Sequence, residues 1–155
     1  MFAWLRAFVS VPQPIGPSQI VKAFNAADPT ITRQPLEVEG QGWFAELSGA
    51  QTLRLFEFQP PVLERCMITY RARMKTEDLK GDAYLELWCR FPGRGEFFSK
   101  GFHHAVQGTN DWASYEVPFY LKKGQVPDLL KLNIVCKGAG RLWIKDVEIC
   151  QTPLG

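Results

Sequence analysis

At 155 residues the chain is long enough to bury one sizeable core. Hydrophobic residues at 46% and charged residues at 22% are ordinary for a folded domain, and a net charge of +2 is too mild to point to nucleic acid. No apolar run approaches the roughly 18–20 residues of a membrane-spanning helix, so no membrane span is expected.

The start, Met-Phe-Ala-Trp-Leu-Arg-Ala-Phe-Val, is apolar but has no basic n-region and no clear small-residue cleavage site. It reads as an N-terminal strand or the edge of an excised domain rather than a targeting remnant. Pro12-Gln13-Pro14-Ile15-Gly16-Pro17 should be extended. Ser18 can cap a short helix with Ile20, Val21 and Phe24 on one side, ended by Asp28-Pro29. Residues 1–35 therefore read as an N-terminal extension with one short helix, and residues 36–155 as a β-sandwich, in one compact domain overall.

From Leu36 the period changes to two. Leu36-Glu37-Val38-Glu39 alternates, Gly40-Gln41-Gly42 turns, and Trp43 to Leu47 is the next strand. Ser48-Gly49-Ala50 reads as a turn into Thr52 to Phe58, which Pro60-Pro61 stops. Cys66 to Lys75 sets Ile68, Tyr70, Ala72 and Met74 against Thr69, Arg71, Arg73 and Lys75, and Lys80-Gly81-Asp82 turns. After Pro92-Gly93-Arg94-Gly95 come Glu96 to Ser99, a long loop, and the polar turn Thr109-Asn110-Asp111-Trp112. Tyr115, Val117, Phe119 and Leu121 then share a face, as do Leu130, Leu132, Ile134 and Cys136. Gly138-Ala139-Gly140 reads as a tight turn into Arg141 to Ile149. Eight or more short alternating strands predict an all-β, two-sheet antiparallel sandwich. Leu85, Leu87, Leu132, Ile134, Val117, Phe119 and Ile68 are expected to share its core.

Residues 84–91 are the most informative. Leu85, Leu87, Cys89 and Phe91 fall on one side, and Tyr84, Glu86, Trp88 and Arg90 on the other. The second set alternates aromatic rings with charges, a surface suited to partly polar ligands. Arg71, Arg73 and Asn133 are expected beside it from neighbouring strands. Trp88 and Tyr84 centre this candidate site.

The segment from residue 53 to residue 149 resembles jelly-roll carbohydrate-binding modules and the wider galactose-binding-like superfamily. The resemblance rests on the Leu53-Arg54-Leu55 strand, on Thr109-Asn110-Asp111-Trp112 leading into Glu116-Val117-Pro118-Phe119, and on the ending Gly138 to Ile149 with its Trp143-Ile144-Lys145-Asp146-Val147. It implies a jelly-roll fold, a carbohydrate ligand and an extracellular setting. It also implies a structural calcium at the final strand. Asp146 matches an acidic position there, but Lys145 stands where the family often has another acid, so no cofactor is expected.

The leading reading is a non-catalytic binding module with a carbohydrate-like ligand; the alternative is an interaction or sensory domain that uses the same face for a protein partner, and the sequence leaves the oligomeric state open. Polyanion binding through Arg71, Arg73, Arg90, Lys131 and Lys137 would need those charges on one face. Cys66, Cys89, Cys136 and Cys150 have no zinc-ligand spacing and read as buried free thiols, which points to a reducing compartment. His103-His104 reads as loop packing, and Trp112 and Trp143 as structural. G-x-S-x-G, H-E-x-x-H and a phosphate-binding glycine loop are all missing, so the chain is not expected to be an enzyme.

Overall fold

A computed structural model describes residues 13–155, so the expectation for the apolar start lies outside the described residues. Nine strands follow in order: β1 (Gln19–Phe24), β2 (Leu36–Glu39), β3 (Gly42–Leu47), β4 (Gln51–Phe58), β5 (Cys66–Phe91), β6 (Gly95–Lys100), β7 (Val106–Leu121), β8 (Leu129–Cys136) and β9 (Gly140–Pro153). They form one antiparallel hydrogen-bonded sheet in the order β2-β3-β9-β5-β8-β4, with β1 on β9 and with β6 and β7 on β5. Among the described residues no helix is long and apolar enough to cross a membrane.

The sheet folds over on itself along one line. Leu47 pairs with Gly140 and Gln51 with Cys136, while Glu77 pairs with Arg141 and Ala83 with Cys136. Three stretches expected to reverse the chain, Ser48-Gly49-Ala50, Lys80-Gly81-Asp82 and Gly138-Ala139-Gly140, therefore lie side by side as corners. Each carries its chain onward from one layer to the other. Layer I holds β1, β2, β3, β9, the first half of β5, and β7. Layer II holds β4, β8, the second half of β5, and β6. The close approach of backbones at the corner is what requires glycine: a Cβ on Gly138 would stand 1.6 Å from the Lys80 carbonyl oxygen.

The core fills the space between the layers. Ile68, Leu85, Leu87, Val117, Leu132 and Ile134 are all buried in one cluster, and Phe119 packs against it. Phe24 of layer I stacks on Phe56 of layer II at 4.2 Å, and the Tyr70 hydroxyl donates to the Asn133 carbonyl across the layers at 3.2 Å. The two-layer sandwich expected from the alternation, in the jelly-roll form that the resemblance implies, is the observed fold.

Two local expectations are corrected. Residues 19–24 form strand β1 rather than a helix. The edge of β9 offers unpaired backbone groups that a strand satisfies and a helix cannot, and only Phe24 of the supposed apolar side is buried. The stretch Thr109–Trp112 lies within the 16-residue strand β7, paired to β5 through irregular register, rather than in a turn.

Candidate functional site

On the outer face of layer II the alternation of β5 gathers Tyr84, Glu86, Trp88 and Arg90, and β8 adds Asn133 opposite Glu86 and Lys131 opposite Trp88. Five of the seven expected site residues thus stand together. Their polar groups, however, are turned on one another. Glu86, 6% exposed, accepts from Trp88 Nε1 at 2.8 Å and from Asn133 Nδ2 at 2.9 Å, with Lys100 Nζ 3.5 Å away. Arg90 donates to both Asp128 oxygens, at 2.9 and 3.2 Å. That hydrogen-bonded pairing holds the guanidinium above its ordinary pKa and the carboxyl below its own.

Two phenylalanines overlie this set. Phe98 lies against Trp88 at 4.9 Å and Phe102 against Tyr84 at 4.8 Å, which leaves Tyr84 2% exposed. The most open rings here are Phe98 and Phe102, at 53% and 59% exposure, while Trp88 is half-buried. Lys100 Nζ sits 4.9 Å from the Phe98 ring centre and 5.9 Å from that of Phe102. The Phe97-Phe98 doublet was the signal in the sequence, but its cross-strand partner could not be read without the register.

Arg71 and Arg73 are elsewhere. The corner at residues 78–82 sends the first half of β5 into layer I, between β7 and β9. On the outer face of that layer the register sets up three rows. Phe44, Trp143 and Lys75 form one; Lys145, Arg73 and Ser114 the next; Glu148, Arg71 and Glu116 the third. Between the last two rows β9 carries one residue more than β5, a bulge marked by Asp146 at a φ of 54°. The five cations considered for polyanions are consequently split between the layers, with Arg90 tied to Asp128 and Lys131 to Glu96.

Layer I is hollowed where these rows run. A cavity of about 490 Å³ is lined by Arg71, Arg73, Ser114, Glu116, Asp146 and Glu148. A second, of about 360 Å³, is lined by Glu39, Lys75, Trp112, Trp143 and Lys145. A third hollow shares Asp146 with the first and Gly40 and Gln41 with the second, so the three adjoin around the bulge, and this stretch of the face is the trough. Trp143 is half-buried, donates Nε1 to Glu39 at 3.1 Å, and has Lys75 Nζ 5.2 Å from its ring centre. Trp112 is also half-buried, with Lys145 Nζ 4.2 Å from its ring centre. Arg71 is anchored to Glu148 at 2.8 Å, a hydrogen bond that raises its pKa.

Both tryptophans were read as structural. Trp143 stands in phase with Arg141 and Lys145, against buried Leu142 and Ile144, and that alternation was the available signal for an outward ring. His104 is exposed, accepts from the Glu116 backbone N–H at 3.4 Å and borders the larger cavity, while His103 is exposed beside it. Among the described residues no three His, Cys, Asp or Glu side chains gather as metal ligands. The four cysteines are buried and unpaired, and burial pushes the Cys89 and Cys136 thiols up to about 12.

No protein-family model and no curated protein sequence matches the chain. Solved structures do. The CBM22-1 xylan-binding domain of Paenibacillus barcinonensis Xyn10C superposes with a TM-score of 0.56 at 12% identity, covering 89% of this chain and 97% of its own. A CBM4 structure gives 0.54 at 11% identity, covering 85% of this chain and 79% of its own. The chain has the jelly-roll fold of these carbohydrate-binding modules. A Stig cyclase of Fischerella sp. TAU stands further off, at 0.48 and 9% identity over 90% of each chain.

Proposed function

We propose that the chain is a non-catalytic carbohydrate-binding module and that its glycan lies in the trough on the outer face of layer I. The observation that carries this reading is the trough itself: two half-buried tryptophans and a row of charged side chains lining adjoining cavities. Indole rings give apolar area to sugar C–H faces, and guanidinium, ammonium and carboxylate groups supply directional hydrogen bonds to hydroxyls. The likeness in fold to a xylan-binding domain and to a CBM4 module supports the same class of ligand. The non-catalytic reading is supported by the likeness in fold to these binding modules.

A second placement of the same glycan is favoured by the open rings of Phe98 and Phe102 above Trp88 and Tyr84, with Arg90, Glu86 and Asn133 as neighbours. We rank it below the trough because Glu86, Asn133 and Arg90 are already engaged with protein partners.

The test is titration calorimetry of a panel of soluble polysaccharides against the wild type, Trp143→Ala, Trp112→Ala and Phe98→Ala. Each tryptophan substitution should weaken binding by about tenfold or more, as loss of an aromatic anchor does, and Phe98→Ala should leave it unchanged. The reverse pattern would move the site to layer II. A wild type that binds nothing in the panel would end the carbohydrate reading in favour of a protein-interaction domain.

A further inference from the structure

Among the described residues, three cations of the trough have no anionic partner. Arg73 on β5 stands directly opposite Lys145 on β9, and Lys75 lies two residues along the same face. Like charges directly opposite on adjacent strands destabilise a sheet. Among the described residues none of the three makes an ion pair. The nearby carboxylates are otherwise placed: Glu148 on Arg71, Glu39 on Trp143 Nε1, Glu116 in the row opposite Arg71, and Asp146 at the exposed bulge.

The two ammonium groups instead cover the rings a sugar would need. Lys145 lies over Trp112 and Lys75 over Trp143. A neutral sugar stacking on either indole must displace an ammonium and can offer it only a hydroxyl acceptor, a weaker partner than a carboxylate. A sugar bearing an anionic group draws the ammonium toward itself and uncovers the ring in the same step.

We propose that the glycan taken by this trough is an acidic one. Its carboxylate is received by Arg73, Lys75 and Lys145 while its ring stacks on Trp112 and Trp143. This rests on the trough being the glycan site.

The experiment compares polysaccharide pairs that differ only in charge: polygalacturonate with its fully methyl-esterified form, and glucuronoxylan with its carboxyl-reduced form. The wild type should bind an acidic member about tenfold or more tightly than its neutral partner at low salt. The difference should shrink as salt approaches about 0.5 M and screening shortens the reach of each charge. Arg73→Gln, whose guanidinium has no hydrogen bond or ion pair among the described residues, should lower acidic binding toward the neutral value. The melting temperature should not fall, because the substitution relieves the Arg73–Lys145 repulsion.

Equal affinity within both pairs would overturn the acidic preference and leave the module reading standing. Binding of neither member of either pair would overturn both. A single-stranded DNA of matched charge, bound as tightly as the acidic glycan, would show charge attraction without sugar recognition and would also overturn the proposal.

Discussion

Gly138→Ala tests the folded-over corner on which the division into two layers depends. The new Cβ would stand 1.6 Å from the Lys80 carbonyl oxygen and 2.7 Å from the Lys80 carbonyl carbon, and backbone cannot swing aside as a side-chain tip can. The corner must open by more than an ångström. Two hydrogen bonds flank it, Lys80 N–H to Ala139 O at 2.7 Å and Lys137 N–H to Asp82 O at 2.8 Å. Each contributes about 0.5–1.5 kcal/mol net, and overpacking of this kind costs about 1–3 kcal/mol. The two costs describe one movement and overlap, so about 2–4 kcal/mol is expected. At about 2–4 °C per kcal/mol for a chain of this length, the melting temperature should fall by roughly 4–16 °C. Gly49→Ala is the control at the same line: its Cβ would meet nothing within 4 Å. It should change stability by no more than about 0.5 kcal/mol, or raise it slightly by restricting the unfolded chain. Urea and thermal unfolding of both variants supply the comparison. A Gly138→Ala protein within about 0.5 kcal/mol of wild type would show that the corner does not bring these backbones together.

Glu86→Ala should cost about 2–4 kcal/mol in urea unfolding, because it strands the Trp88 and Asn133 donors in a nearly closed site; a neutral result would mean that Glu86 is not their acceptor. Native Cys89 and Cys136 should resist a thiol reagent at pH 8 and react promptly once unfolded, since burial keeps them protonated. Their folded pKa values lie above the unfolded ones, so the stability they contribute is fully present below about pH 9 and declines above it. The decline is about 1.4 kcal/mol per pH unit per thiol until the folded value near 12 is reached. A urea midpoint that held constant from pH 9 to pH 10.5 would count against this.

The strands were legible because most bury one face. Leu85-Leu87-Cys89 and Leu130-Leu132-Ile134 mark their inward sides by period alone, and both sets are core in the structure. Connections were not legible. Ser48-Gly49-Ala50 and Gly138-Ala139-Gly140 carry the same residues whether the chain reverses or bends into the other layer, and only pairing beyond the local window decides between them. That ambiguity separated the candidate site residues. Arg71 and Arg73 share a strand with Trp88, and the unread corner between them puts them on opposite sides of the molecule. Trp143 was in phase with two charged residues, yet its neighbours Lys75 and Phe44 come from strands 60 or more residues away in sequence. The strand at 19–24 was misread for a similar reason, because its hydrogen-bond partner is β9 at the far end of the chain.

The location of the glycan site can be read from the indole N–H signals in a ¹⁵N-resolved NMR titration. The chain has five tryptophans, each with one such proton. With a bound polysaccharide fragment added stepwise, Trp112 and Trp143 should shift together and saturate at one affinity, while Trp88 and buried Trp43 stay in place. A saturating shift of Trp88 with Trp112 and Trp143 unmoved would contradict the assignment of the trough on layer I.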